Sequence, residues 1–330
     1  MDWFETLFGF AETDAASVTD QLEVDGCELR SRVNGASYQV GRLETPTLGD
    51  LRQRIASLDA SPWPTQVCSI VGDADAQHAD AANAGALFQV ASQFNLLEMV
   101  SPDVTPERGV TRYAGDRTQG PACAIAAGPA TVYRNYFAPV GDQIGQTAEL
   151  QIDCLRDVHE ALSPGGAALW EMRNGYALCS EQGITQVNEH LSSLDESGLD
   201  AIRSKLRIGL HWDVQVTQPQ PAHCVSQAYC SALPVAYSSV SSLKWEAFAR
   251  LVLEASYEAC LLAGLENANR EGNAGALFLT KLGGGVFGND TAWIRDAMER
   301  AFGLAGDWGL DVRVVHFGAV DERFGRVTSR

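Results

Sequence analysis

The chain is short of basic residues: 24 Lys plus Arg stand against 42 Asp plus Glu, a formal net charge of −18 over 330 residues. A surface field of that sign repels polyphosphate backbones and anionic membranes, so neither a nucleic acid nor a membrane is expected as a partner. An anionic ligand held by backbone N–H groups stays possible, because those donors need no basic side chain. Paired cysteines are also missing. The eight cysteines, at positions 27, 68, 123, 154, 179, 224, 230 and 260, lie singly with no CxxC, which predicts buried reduced thiols. The six histidines form no HxxxH or HExxH pattern, so no metal and no other cofactor is expected. No apolar run reaches the roughly eighteen residues that span a bilayer. Met1-Asp2-Trp3-Phe4-Glu5 has neither the basic nor the apolar part of a secretory leader, and a cytoplasmic monomer is the expectation. Repeats, low-complexity tracts and Gly/Pro-rich linkers are absent as well, which favours one elaborated module over two domains.

What is present is a 45% hydrophobic chain, ample for a large core, with clear periodicities. Leu22-Glu23-Val24, Leu29-Arg30-Ser31 and Ser37-Tyr38-Gln39-Val40 alternate as short strands, with Asn34-Gly35 as a hairpin signal, and Leu48 to Leu58 reads as a helix. Residues 1–70 are expected to be an elaboration packed on a domain of residues 71–330. Within that domain strands are predicted at Leu87 to Phe94, Thr131 to Phe137, Ala167 to Glu171, Arg207 to Val216, His223 to Ala232, Ala276 to Thr280 and Asp311 to Phe317. Trp245, Phe248, Val252, Ala255, Ala259 and Leu262 make one apolar helical stripe, which leaves Glu254 and Glu258 on the solvent side. A second helix starts after the N-cap pair Asn289-Asp290. Strands alternating with helices predict an α/β fold whose sheet is covered on both faces.

Two segments carry chemistry. Ala276 to Asp290 reads strand, glycine turn, helix start, and Gly283, Gly284, Gly285, Val286, Phe287, Gly288 and Asn289 suit the close approach of a phosphate to backbone N–H groups. Residues 283–288 also match GxGxxG, but the chain beyond Gly288 has room for only one helix and one strand, too little for a dinucleotide fold, and no GKS or GKT makes a P-loop. The other segment runs from Gln89 to Pro121, an apolar strand leading into a long loop rich in hydroxyls, amides and carboxylates. A loop of that composition either carries function or bonds its own backbone through Asx and ST turns.

Together these segments resemble the macrodomain superfamily, three-layer α/β/α modules that bind ADP-ribose. Gly284-Gly285-Val286-Phe287-Gly288 is similar to the family's diphosphate loop. Phe88 to Asn95, Thr118 to Ala124, Thr131 to Tyr136 and Cys230 to Tyr237 resemble a divergent branch typified by a bacterial effector that removes ADP-ribose from arginine. The resemblance implies a mixed sheet with a β-hairpin and helix added at the N-terminus, and an ADP-ribosylated protein as substrate. It further implies ADP-ribose held by Ser92, Gln93, Phe94, Asn95, Thr111, Tyr113, Thr118, Gln119 and residues 283–289. The family's early Asn-Ala-Ala-Asn motif is only echoed, by Ala82-Asn83-Ala84-Gly85. No paired glutamates follow Gly283-Gly284-Gly285, which argues against cleavage of poly(ADP-ribose) chains.

A guanidinium leaving group needs little general-acid help but does need a carboxylate to direct water at the ribose carbon. Asp116, Glu98 and Asp103 are the loop candidates, with Asp213 in reserve. Each has a plainer reading: Asp116 as an ion pair with Arg117, Glu98 as a cap, Asp103 as a turn residue, Asp213 on an exposed strand face. Phe94, Tyr113, Phe287 and Tyr237 are the aromatics available to an adenine, and His211 and His223 read as structural. The alternatives of another class are an ADP-ribose reader without catalysis and a hydrolase of free ADP-ribose derivatives.

Overall fold

Short helices started by aspartates open the computed structural model, which describes residues 1–58, 63–218, 223–270 and 275–324. Asp2 caps α1 (Trp3–Phe8) and Asp14 caps α2 (Ala15–Gln21), each side chain accepting a first-turn N–H. The predicted alternation then forms an antiparallel meander of β1 (Leu22–Asp25), β2 (Glu28–Ser31) and β3 (Ser37–Gln39), with Leu29 opposite both Val24 and Tyr38. Next come β4 (Arg42–Glu44), α3 (Leu48–Ile55), β5 (Gln66–Val71), α4 (Ala74–Ala79) and β6 (Leu87–Ala91). Turns and single-turn helices fill the way to α5 (Gln119–Ala126) and α6 (Gly128–Tyr136). A two-residue ladder of β7 (Pro139–Val140) and β8 (Gln143–Ile144) precedes α7 (Arg156–Leu162), the hairpin β9 (Trp170–Arg173) and β10 (Tyr176–Cys179), then α8 (Glu181–Ser192) and α9 (Glu196–Arg203). The chain closes with β11 (Gly209–Gln215), β12 (Cys224–Cys230), α10 (Ser242–Ala268), β13 (Ala276–Leu279), α11 (Thr291–Leu304) and β14 (Asp311–His316).

The main sheet has seven strands in the order β4-β11-β12-β6-β13-β14-β5. The five from β12 to β5 are parallel, and β11 runs antiparallel to both its neighbours. Alternation along the central strands sends residues to opposite faces. Leu87 and Leu277 join α10 and α11 in one cluster, where Leu277 Cδ2 lies 3.0 Å from the position a Cβ on Gly264 would take. Phe88 and Phe278 stack on each other on the other face, with Ala127, Ala130 and the ring of His78. The result is the expected α/β/α three-layer mixed sheet. No helix among the described residues is long and apolar enough to cross a membrane.

Two predicted strands are placed differently. The predicted strand Thr131 to Phe137 is instead the end of α6 with Phe137 as its C-cap: Pro129 suits the first turn of a helix, and the Thr131 hydroxyl is satisfied by the Ala124 carbonyl. The Ala167 to Glu171 prediction shifts to β9, in a separate hairpin. Their places in the main sheet go to β4 and β5, short strands on its two edges. Glu258 is buried rather than solvent-facing and binds Arg52 and Arg300, while Glu254 binds Arg203, because α3, α8, α9 and α11 surround α10. The N-terminal helices and meander pack on α6 through a second apolar cluster that includes Phe4, Phe8, Leu29 and Tyr136.

Candidate functional site

All five parallel strands end at one cavity of about 1210 Å³. Gly72 and Asp73 follow β5, Ala91 and Ser92 stand at the end of β6, and Ala232 follows β12; Thr280 and Lys281 follow β13, and Val315 and Phe317 stand at the end of β14. Carboxyl ends of parallel strands are where open α/β sheets bind ligands, since strands diverge there and loops leave in different directions. The divergence here is between β6 and β13. They pair only at Leu87 with Leu277 and Phe88 with Phe278, whereas β12 stays paired with β6 as far as Ala91. Two glutamine side chains satisfy the backbone groups left over. Gln89 Oε1 accepts from Thr280 N (3.0 Å), and Gln119 accepts from Ala91 N (3.3 Å) while donating to Gln89 O (3.3 Å). Gln119 borders the cavity, but its amide is committed to β6.

The turn after β6 is closed tightly on itself: Gln93 N donates to Leu97 O (3.0 Å), Leu96 N to Gln93 O (2.9 Å), and Leu96 sits at φ 65°. Arg134, fully buried over the Tyr229 ring, donates to the Leu96 carbonyl (3.2 Å) and to Thr131 Oγ1 (2.8 Å). It also meets Nδ1 of His211, whose pKa is held well below the usual range by burial and then by the Arg134 charge, so a neutral imidazole accepts there. The turn delivers Glu98 to the cavity wall with 5% of its surface exposed and with Oε1 lacking a hydrogen-bond partner. Burial raises its pKa well above the carboxylate range; the Arg134 charge opposes that rise and the Asp116 charge adds to it. The Glu98 N–H is held by the Tyr113 hydroxyl (2.9 Å).

Asp116 borders the same cavity and accepts from Thr118 N (2.8 Å), just ahead of α5. Of the four carboxylates predicted from the sequence, the fold brings together Glu98 and Asp116. Asp103 is exposed and paired with Arg173, and Asp213, at φ 57° in a bulge of β11, is paired with Arg270; neither borders the cavity. Ser92, Gln93 and Thr118 line it. Phe94, Asn95, Thr111 and Tyr113 do not: Phe94 is core, Asn95 bonds Gln151 and Leu97, and Thr111 N donates to Glu12. These four build the wall from behind.

The glycine loop supplies the opposite wall through Gly283, Gly285, Val286 and Phe287. Gly283 has φ 72°, and a Cβ there would overlap that of Ala232. Asn289 fastens the loop by donating from its side chain to Leu233 O (2.9 Å) and from its backbone to Gly283 O (3.0 Å), and Gly288 closes onto Gly285 O (3.0 Å). Gly284 bonds Lys281 O and borders no part of the cavity. Among the described residues, the N–H groups of Gly285, Val286 and Phe287 donate to no protein acceptor, nor do those of Gln119 and Gly120 at the start of α5. Two sets of free donors, one at a helix N-terminus, therefore border one cavity, an arrangement suited to a diphosphate.

Other lining residues were not singled out in the sequence. Tyr176, on the β9–β10 hairpin, packs with Tyr237 and Phe287 at ring centroid separations of 5.1 and 5.4 Å, and its hydroxyl donates to Met99 O (2.6 Å) beside Glu98. Asp73, Asp75 and the 83% exposed Phe317 stand around the ends of β5 and β14. The signal for Asp73 was the β-branched Val67, Ile70 and Val71 ahead of Gly72, and for Tyr176 the hairpin pair Asn174-Gly175. No group of three or more His, Cys, Asp or Glu among the described residues is arranged to hold a metal ion.

No family model and no curated protein matches the chain. Among solved structures it is similar to the poly(ADP-ribose) glycohydrolase of Thermomonospora curvata, at 16% identity and TM-score 0.46 over 96% of this chain and 97% of that one. The same enzyme bound to the inhibitor ADP-HPD gives 15% identity and TM-score 0.44 over 96% and 97%. The poly(ADP-ribose) glycohydrolase of Deinococcus radiodurans in complex with ADP-ribose gives 13% identity and TM-score 0.44 over 87% and 90%.

Proposed function

We propose that the chain hydrolyses the bond between ADP-ribose and modified arginine side chains of proteins. The observation that carries the reading is the pair Glu98 and Asp116 on one wall of a cavity whose other wall offers N–H groups without protein acceptors. The glycine loop and the start of α5 hold the diphosphate. Phe317 and Asp73, at the far strand ends, offer a ring face and an acceptor to the adenine.

At the reacting end the C1″–N bond breaks with its electron pair going to the guanidinium nitrogen, which leaves as neutral guanidine. Water adds to the oxocarbenium carbon and gives its proton to Asp116, from which the guanidine recovers it. Glu98, kept protonated by burial, acts as a hydrogen-bond donor to the ribose and adds no negative charge where the neighbouring Asp116 already carries one. The Asp116 carboxylate also favours a cationic side chain at the reacting end. The test is incubation with arginine-modified protein and, separately, with serine- and glutamate-modified protein. Free ADP-ribose from the first supports the reading; release only from the other two removes the arginine assignment, and tight ADP-ribose binding with no release from any selects a reader.

A further inference from the structure

Glu12 belongs to no motif and lies between α1 and α2, far in sequence from the cavity. Its Oε1 accepts from Val110 N (2.9 Å) and from the Tyr136 hydroxyl (2.8 Å), and its Oε2 accepts from Thr111 N (2.7 Å). Gly109 makes room for it: at φ 83°, a Cβ there would overlap the Glu12 carboxylate. Two charge-assisted bonds from one side chain thus fix the start of the turn at residues 109–115, and a third ties the same carboxylate to Tyr136 of α6. That turn carries Tyr113, whose hydroxyl holds the Glu98 N–H, and ends at Asp116. The segment bearing Glu12 is anchored in turn, since Trp3, Phe4, Leu7 and Phe8 share a cluster with Leu97, Met99, Val110 and Tyr113.

We propose that Glu12 is a positioning residue, by which the N-terminal segment sets both cavity carboxylates in place. The inference rests on the reading that Glu98 and Asp116 act on an ADP-ribosyl bond. Its structural half is testable without any substrate.

The experiment compares Glu12→Ala and Glu12→Gln with Asp14→Ala in the full chain. Asp14 caps α2 from the same segment and touches nothing in the turn. Amide exchange at Val110 and Thr111 is expected to rise about tenfold or more in Glu12→Ala, with α10 unchanged. The kcat for ADP-ribose release should fall about tenfold or more while KM stays within about threefold. Glu12→Gln, which keeps one acceptor oxygen and the shape, should fall between, and gives the same readouts should the alanine variant not fold. Unchanged exchange, a kcat within about threefold of the parent, or an equal loss of kcat in Asp14→Ala overturns the proposal. A parent protein that releases no ADP-ribose from any linkage instead defeats the proposed activity, and the exchange comparison then decides the role of Glu12 by itself.

Discussion

Gly120 leaves the space in which the Glu98 carboxylate stands: a Cβ at position 120 would lie 2.5 Å from Glu98 Oε2 and would run into the Ala91 carbonyl oxygen. Backbone of α5, the end of β6 and a buried acid thus meet at one point that tolerates only glycine. Gly120→Ala should lower stability by about 1–3 kcal/mol, as overpacking does. It should also displace Glu98, and thermal unfolding together with ADP-ribose release would read both; an alanine variant equal to the parent in each would show that the wall can yield.

Glu98→Gln should gain stability at neutral pH. Because the folded-state pKa of Glu98 is raised, the folded chain holds a proton that the unfolded chain releases above the ordinary carboxylate range. The contribution is favourable at low pH and fades as pH rises through the folded value. Glutamine keeps the shape without the ionisation, so its advantage over the parent should grow as pH rises above the ordinary carboxylate range. Denaturant midpoints at several pH values check it, and an advantage that shrinks with pH contradicts the assignment.

The fully buried His78 should make the fold sensitive to acid in the opposite sense. Burial lowers its pKa from 6.5 to about 4, and Nδ1 lies 2.6 Å from the Ala74 carbonyl. Between those values the unfolded chain binds a proton that the folded chain refuses, so stability falls as pH drops through that window, by up to about 3 kcal/mol. His211, also depressed by burial, adds in the same direction. In His78→Gln the slope of stability against pH over that range should flatten.

Asp116→Asn should reduce ADP-ribose release about a hundredfold or more, as loss of a base does, with little change in ADP-ribose affinity. Asp103→Asn and Asp213→Asn, whose side chains pair with Arg173 and Arg270 away from the cavity, should stay within about threefold of the parent. Steady-state rates for the three variants separate the cavity carboxylates from the others, and a large loss in Asp103→Asn would redraw the site.

Gly283→Ala should weaken ADP-ribose binding about tenfold or more, because the positive φ and the contact with Ala232 make any side chain move the loop. Calorimetry with ADP-ribose measures this directly. An affinity equal to that of the parent would mean that the loop donors are not the diphosphate contact.

The reading of Leu87 to Phe94, His223 to Ala232, Ala276 to Thr280 and Asp311 to Phe317 as strands rests on local alternation and short apolar runs, and the structure forms a strand within each, at 87–91, 224–230, 276–279 and 311–316, because these segments are largely buried on both faces. It failed at Thr131-Val132-Tyr133, where β-branched and aromatic residues favour a strand in isolation. Packed between the sheet and the N-terminal cluster, the same residues form a helix, and apolar contacts outweigh a propensity difference of a few tenths of a kcal/mol, roughly, per residue. The three residues of edge strand β4 give too little pattern to be read, whereas β5 carries a strand signal in Val67, Ile70 and Val71.

By itself, the sequence determined the alternation of strands and helices, the glycine loop after β13 and the carboxylate-rich segment after β6, all set by neighbours a few residues away. Which carboxylates face the cavity was decided only by the tertiary structure. Asp103 and Glu98 are five positions apart and look alike in sequence, yet one pairs with an arginine in solvent and the other is buried with an unpartnered oxygen. Glu12 had no local signal at all. Its role comes from donors on Val110, Thr111 and Tyr136, and only the folding of the N-terminal segment against α6 brings those within reach.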